Sequence, residues 1–144
     1  MRGNKGKGKT MDKTTEQPVP AIADLVALAG AAQAQEKAGP AWSLATGDLN
    51  LNLVRLPPGD AIPGHVNAEV DVVYLAVAGA GTIELGDAGG GGSAEAHAHA
   101  MAPGGLFVVP KGLHRAIHAG EQGLAYLTCH RRRAGLMPTR ASRG

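Results

Sequence analysis

His65, Asn67 and Asp71 fall within one short segment, GDAIPGHVNAEVD (59–71), and Arg115 closes a second, GGLFVVPKGLHR (104–115). Alternate residues of a strand point to one face, so His65 and Asn67 share a side. Asp71, four residues on, keeps that parity if the intervening turn holds phase. An imidazole, an amide and a carboxylate brought into a protein interior require a compensating cation. Arg115 would supply one that cannot lose its proton. The sequence therefore predicts a bidentate Asp71–Arg115 pair flanked by His65 and Asn67. Such a group could bind a small molecule, with Arg115 and Asn67 holding an anionic or carbonyl oxygen. His65 and Asp71 could then exchange a proton, as an isomerase, cyclase or lyase requires. A non-catalytic binder fits the same residues.

A metal site is the competing expectation. A one-residue slip in the second segment would turn His114 inward and Arg115 outward. His65, Asp71 and His114 would then form a two-histidine, one-carboxylate face suited to Fe(II) or another divalent ion: Mn, Ni, Cu or Zn. An oxygenase-like enzyme would follow. Without the slip, a dication about 4 Å from the Arg115 guanidinium meets roughly 8 kcal/mol of repulsion at an effective dielectric near 20. Electrostatics thus favours no metal, and parity puts His114 and His118 on the outer side.

Other reactive side chains have plainer readings. His97 and His99 share a face with Met101 but have no carboxylate beside them, which suits strand histidines better than ligands. Glu69 reads as a solvated turn acid. Tyr74, opposite in parity to Asp71, is expected to pack in a sheet or an interface. Tyr126, Thr128 and His130 alternate along one strand and read as core or edge. Arg131, Arg132 and Arg133 read as an exposed end. The Gly89–Gly92 run precedes no Lys-Ser/Thr and no helix, so it is not a phosphate loop.

The elements that would carry these residues are mostly strands. Ile22, Leu25, Val26 and Ala29 recur at helical steps after Pro20, predicting one amphipathic helix over about 20–35, stopped near Pro40. Leu49, Leu51 and Leu53 then alternate with Asn50, Asn52 and Val54 as a half-buried strand, ended by Pro57-Pro58-Gly59. Further strands are expected at 71–77, 82–85, 96–101, 106–109, 115–117 and 124–130, with a hairpin tip at 89–93. Strands punctuated by Gly and Pro, with one helix in front, argue an all-β barrel or sandwich.

With 144 residues the chain has the length of one domain, and 3% aromatics require a core of Val, Leu, Ile and Ala. Residues 1–13 and 131–144 together hold ten basic residues and one acid; residues 14–130 hold four basic residues against eleven acids. An acidic body with basic ends is not a nucleic-acid-binding face. The expected organisation is a basic, disordered stretch at 1–17, one domain at 18–133 and a flexible tail at 134–144. The single cysteine, Cys129, excludes an internal disulfide, points to a reducing compartment and lies in an apolar run that suits an inert thiol. Asp24 interrupts AIADLVALAG (21–30), which reads as neither a leader nor a membrane span. The expected location is the cytoplasm.

The two quoted segments resemble the cupin family, whose motifs run G-x5-H-x-H-x3,4-E-x6-G and G-x5-P-x-G-x2-H-x3-N. Gly59 and His65 are in register with the first motif. Asn67 stands where the second His would be, Asp71 replaces the Glu, and Gly79 comes one residue late. In the second motif Gly104, Pro110 and Gly112 match, while Arg115 takes the His position and Ala119 the Asn position. VNAEVDV (66–72) and Tyr126-Leu-Thr-Cys-His-Arg-Arg-Arg133 are similar to segments of small bacterial cupins. The resemblance covers about 47–130 and implies a double-stranded β-helix, a jelly-roll barrel, behind the short helix. It also implies a homodimer, which apolar strands such as DVVYLAV (71–77) support. In metal-binding cupins a divalent cation occupies the space that Arg115 would fill here. A scaffold acting through its outer sheet or its basic ends is the third functional expectation.

Overall fold

The computed structural model describes residues 20–86 and 97–133. The expected tails at 1–17 and 134–144 and the glycine run at 89–93 lie outside the described residues. Helix α1 (Leu25–Ala31) is followed by a short 3-10 turn and seven strands. The strands are β1 (Gly39–Ala45), β2 (Leu49–Leu56), β3 (Ala61–Val66), β4 (Val72–Leu85), β5 (His97–Met101), β6 (Leu106–Val109) and β7 (His114–Arg131).

Two long strands organise everything. β4 and β7 pair antiparallel along most of their length, from Val73 opposite Cys129 to Leu85 opposite Arg115. Their register breaks at Ala76–Ala78 and again at Gly79–Gly81, where Gly120 to Gly123 on β7 lie opposite Ala80 alone. Such a bulge bends both strands. On one side of the bend the order is β1-β2-β7-β4-β6; on the other it is β3-β7-β4-β5. Val72, Tyr74 and Tyr126 from the first half share one buried cluster with Ile83, Met101 and Ile117 from the second. The two halves therefore face each other across a single core, as an all-β barrel requires.

The expected breaks at Gly79-Gly81 and between residues 117 and 124 are bulges inside continuous strands rather than strand ends. β1 was not expected: Ala41 interrupts its register with β2, so it shows no clean alternation. The helix is shorter than its periodicity suggests. Asp24 caps it by accepting from the Ala27 amide at 3.1 Å, which fixes the start at Leu25, five residues after Pro20. Ile22 precedes the helix and Val26 faces water, while Leu28 and Ala29 pack on Trp42, Leu53, Val77 and Ala125. Among the described residues no helix is long and apolar enough to cross a membrane.

Candidate functional site

A bulge at Pro63-Gly64 sets the register of β3, so His65 pairs with Arg115 and Val66 with His114. Paired residues share a face. Arg115 also pairs with Leu85, and Leu85 with His97, so one inward row runs His65, Arg115, Leu85, His97. Arg115 is the largest fully buried side chain, at 0% exposure. Its Nε and Nη2 donate to the Leu113 carbonyl at 3.2 and 2.9 Å. At longer range Nη2 reaches the Pro110 carbonyl and Nη1 the Tyr74 hydroxyl, both at 3.4 Å. The guanidinium thus ties the 110–113 loop to β4 from inside the barrel.

The expected Asp71–Arg115 pair does not form. Val70, Val72, Tyr74 and Ala76 are buried and Asp71 is exposed, so strand parity carries its carboxylate outward. Its Oδ1 accepts from the Lys111 amide at 2.9 Å. Asn67 is likewise bound to backbone: its Oδ1 accepts from the Glu69 and Val70 amides at 3.0 and 3.1 Å, closing an Asx turn. The Gly112 amide donates to the Asn67 carbonyl at 2.8 Å. Two positions read as site residues therefore fasten one loop to the other. His65 stays exposed at the rim, with Nδ1 3.0 Å from the Pro63 carbonyl. His65, Asp71 and Arg115 do not converge as a catalytic trio.

The expected slip toward His114 is absent too. His114 faces outward opposite Val66, and its ring occupies the space that a Cβ on Gly64 would take. The extra residue sits in β3 instead of β7. His118 also faces outward, with Nε2 3.8 Å from a Glu84 carboxylate oxygen. His97 and His99 are exposed, the latter 6.4 Å from the Phe107 ring. Among the described residues no three His, Cys, Asp or Glu side chains come close enough to hold a metal. With a permanently charged guanidinium at the centre, Asn67 Oδ1 committed to two amides and the Asp71 carboxylate turned outward, these side chains do not fit a divalent ion. Cys129, free and half-buried, pairs with Leu51 and Val73 on the outer face.

Three features were missed. Tyr74 faces inward, its ring 5.8 Å from that of Tyr126, and burial together with Tyr74 pushes the Tyr126 phenol well above its ordinary value. The unbroken apolar run 72–77 gave no alternation from which to read that parity. Arg55 is buried at 7% exposure under α1. Its signal was present: it continues the odd-numbered apolar series Leu49, Leu51, Leu53. Finally, Arg131 and Arg133 line depressions of about 230 and 370 Å³ at the barrel mouth. Arg133 Nε lies 2.9 Å from Glu69 there, and His65 and Asn67 line the same rim.

No protein-family model matches the chain, and no curated protein matches it in sequence. Solved structures do. The chain is 14% identical to BH2720 of Bacillus halodurans, with a TM-score of 0.67, covering 88% of this chain and 92% of that one. The cupin domain of Cnp3 from Schizosaccharomyces pombe is 17% identical, with a TM-score of 0.53 over 62% of this chain and 58% of that one. Bacillus subtilis oxalate decarboxylase, a protein with Mn(II) centres, is 22% identical, with a TM-score of 0.53 over 62% of this chain and 22% of that one. The chain has the cupin fold: an all-β jelly roll with one short helix.

Proposed function

We propose that this cupin-fold chain is a small-molecule-binding protein that works without a resident metal, its barrel centre held by an organic cation. One observation carries the reading: Arg115 is wholly buried and spends its donors on the Leu113 and Pro110 carbonyls and on Tyr74. A permanent charge in that position repels a dication, and the remaining inward residues offer no convergent acid and base. In this reading the chain binds its ligand rather than turning it over.

The ligand in this reading is a small organic acid at the barrel mouth. Arg131 and Arg133 outnumber Glu69 around its depressions, and His65 adds a ring nitrogen. Guanidinium groups suit carboxylates through paired hydrogen bonds. Native mass spectrometry with a panel of small dicarboxylic acids tests it. A one-to-one adduct that disappears when Arg131 and Arg133 are both changed to Ala is expected. Failure of every acid to bind contradicts the reading.

A second copy of the chain is proposed on the outer face of the first half. Leu106 and Val108 are 61% and 60% exposed there. Register continues their rows through Leu75 and Leu127, and through Val73 and Cys129 to Leu51, while Leu53 at the end of the first row is covered by α1. An apolar row of that extent on a polar molecule suits a self-complementary contact.

A further inference from the structure

The bulge of β7 that bends the barrel also makes a small chamber on the opposite, outer side, beneath α1. It measures about 100 Å³ and is lined by Ala29, Gln33, Arg55, Ala78, Gln122 and Ala125, among others. Arg55 pairs with Ala125 across β2 and β7, which places it on the outer face under the helix. Its guanidinium lies where any side chain on Gly123 would collide with it; Gly123, at φ +79°, adopts a conformation that favours glycine. The fold has left space for this cation at a position where only glycine allows it.

That cation is incompletely paired. Nη1 donates to the Leu56 carbonyl, and Nη2 reaches the Gln33 carbonyl only at 3.4 Å. Nε is buried with no hydrogen-bond partner. Among the described residues no carboxylate lies within 4.0 Å of Arg55. A buried guanidinium normally takes a planar anion, and the edge bearing Nε and Nη2 is the one that matches a carboxylate with two parallel hydrogen bonds. Here Nε has no partner and Nη2 has only the long contact to the Gln33 carbonyl. The walls fit the rest of such a ligand: Ala29, Ala78 and Ala125 give methyl surface, and the exposed Gln33 and Gln122 form a polar rim.

We infer that the chamber between α1 and the β7 bulge is a binding site for a small aliphatic monocarboxylate, held by the Arg55 guanidinium with its alkyl end on the alanines. At about 100 Å³, against about 30 Å³ for one liquid water, the chamber admits a small carboxylate. This site is separate from the barrel mouth and does not depend on any ligand there.

Thermal unfolding with added sodium acetate or sodium chloride at matched ionic strength tests the proposal. Acetate should raise the melting temperature saturably, by about 5 °C at ten times its Kd, beyond the chloride control. Arg55→Gln should abolish the acetate response, while the Arg131→Ala, Arg133→Ala double variant keeps it, which separates this site from the mouth. Should Arg55→Gln not fold, Gln122→Glu decides: a carboxylate built into the rim should raise the melting temperature without ligand and suppress the acetate effect. Equal action of acetate and chloride on the wild type, or a full acetate response in Gln122→Glu, overturns the proposal.

Discussion

Replacing Arg115 by Met keeps most of the side chain's length and apolar contact while removing its hydrogen bonds and charge. The two contacts to the Leu113 carbonyl, at 2.9 and 3.2 Å, are the short ones; those to Pro110 and Tyr74, at 3.4 Å, are longer and weaker. Hydrogen bonds from a charged donor contribute about 1.5–3 kcal/mol each, so losing the two short ones costs roughly 3–6 kcal/mol. Against this, the variant no longer has to bury a charge without a carboxylate, which recovers part of that cost. A guanidinium is weakly hydrated, so the recovery is the smaller quantity. The expected net loss for Arg115→Met is about 2–3 kcal/mol. Arg115→Lys should be worse still. An ammonium is strongly hydrated and lacks the planar fork that reaches both Leu113 and Tyr74, so it leaves a buried charge poorly paired. Urea unfolding followed by far-ultraviolet circular dichroism and by the fluorescence of Trp42, the only tryptophan, measures both variants. Stability of Arg115→Met equal to or above wild type, or rescue by Lys, would refute the claim that this guanidinium cross-links the barrel.

Other consequences follow from the same geometry. The Tyr126 phenol is raised by burial first and by Tyr74 second, so the folded protein holds that proton more tightly than the unfolded chain. Its contribution to stability is therefore present below the unfolded value near 10 and lost as pH climbs from there, at up to about 1.4 kcal/mol per pH unit. Alkaline denaturation should show that slope, and Tyr126→Phe should flatten it. Gly79→Ala should lower stability by about 2–4 kcal/mol in urea unfolding, because φ is +75° there and the new Cβ meets the Gly123 carbonyl. A change no larger than for an exposed Ala substitution would contradict that contact. Leu106→Glu with Val108→Glu should halve the particle mass in analytical ultracentrifugation if a second copy covers the outer face; an unchanged mass would place any partner elsewhere.

The spacing of the two segments was legible because it encodes turns. Gly59, Gly79, Gly104 and Gly112 all have positive φ, from +75° to +93°, and Gly104 and Gly112 flank the strand that leads to Pro110 and Arg115. Those turns persist whatever the side chains between them do, so the barrel could be read from glycines and prolines alone. The direction of the side chains could not. Four-residue parity from Asn67 puts Asp71 inward, yet the strand it precedes turns Val72 and Tyr74 to the core. In an apolar run no alternation reveals that phase. Arg115 was expected inside, and it lies there; its partners were not foreseen, because they are carbonyls of its own loop rather than an acid. Carbonyl partners leave no trace in residue type. Arg55 did leave one, an arginine continuing an apolar series, and its meaning emerges only with the helix that covers it.

Elemental analysis of tag-free protein, expressed with iron, manganese, nickel, copper and zinc supplied, tests most directly whether arginine has taken the metal's place at the barrel centre. The account predicts well under one equivalent of any transition metal per chain, unchanged in His65→Ala. A full equivalent that His65→Ala removes would contradict it.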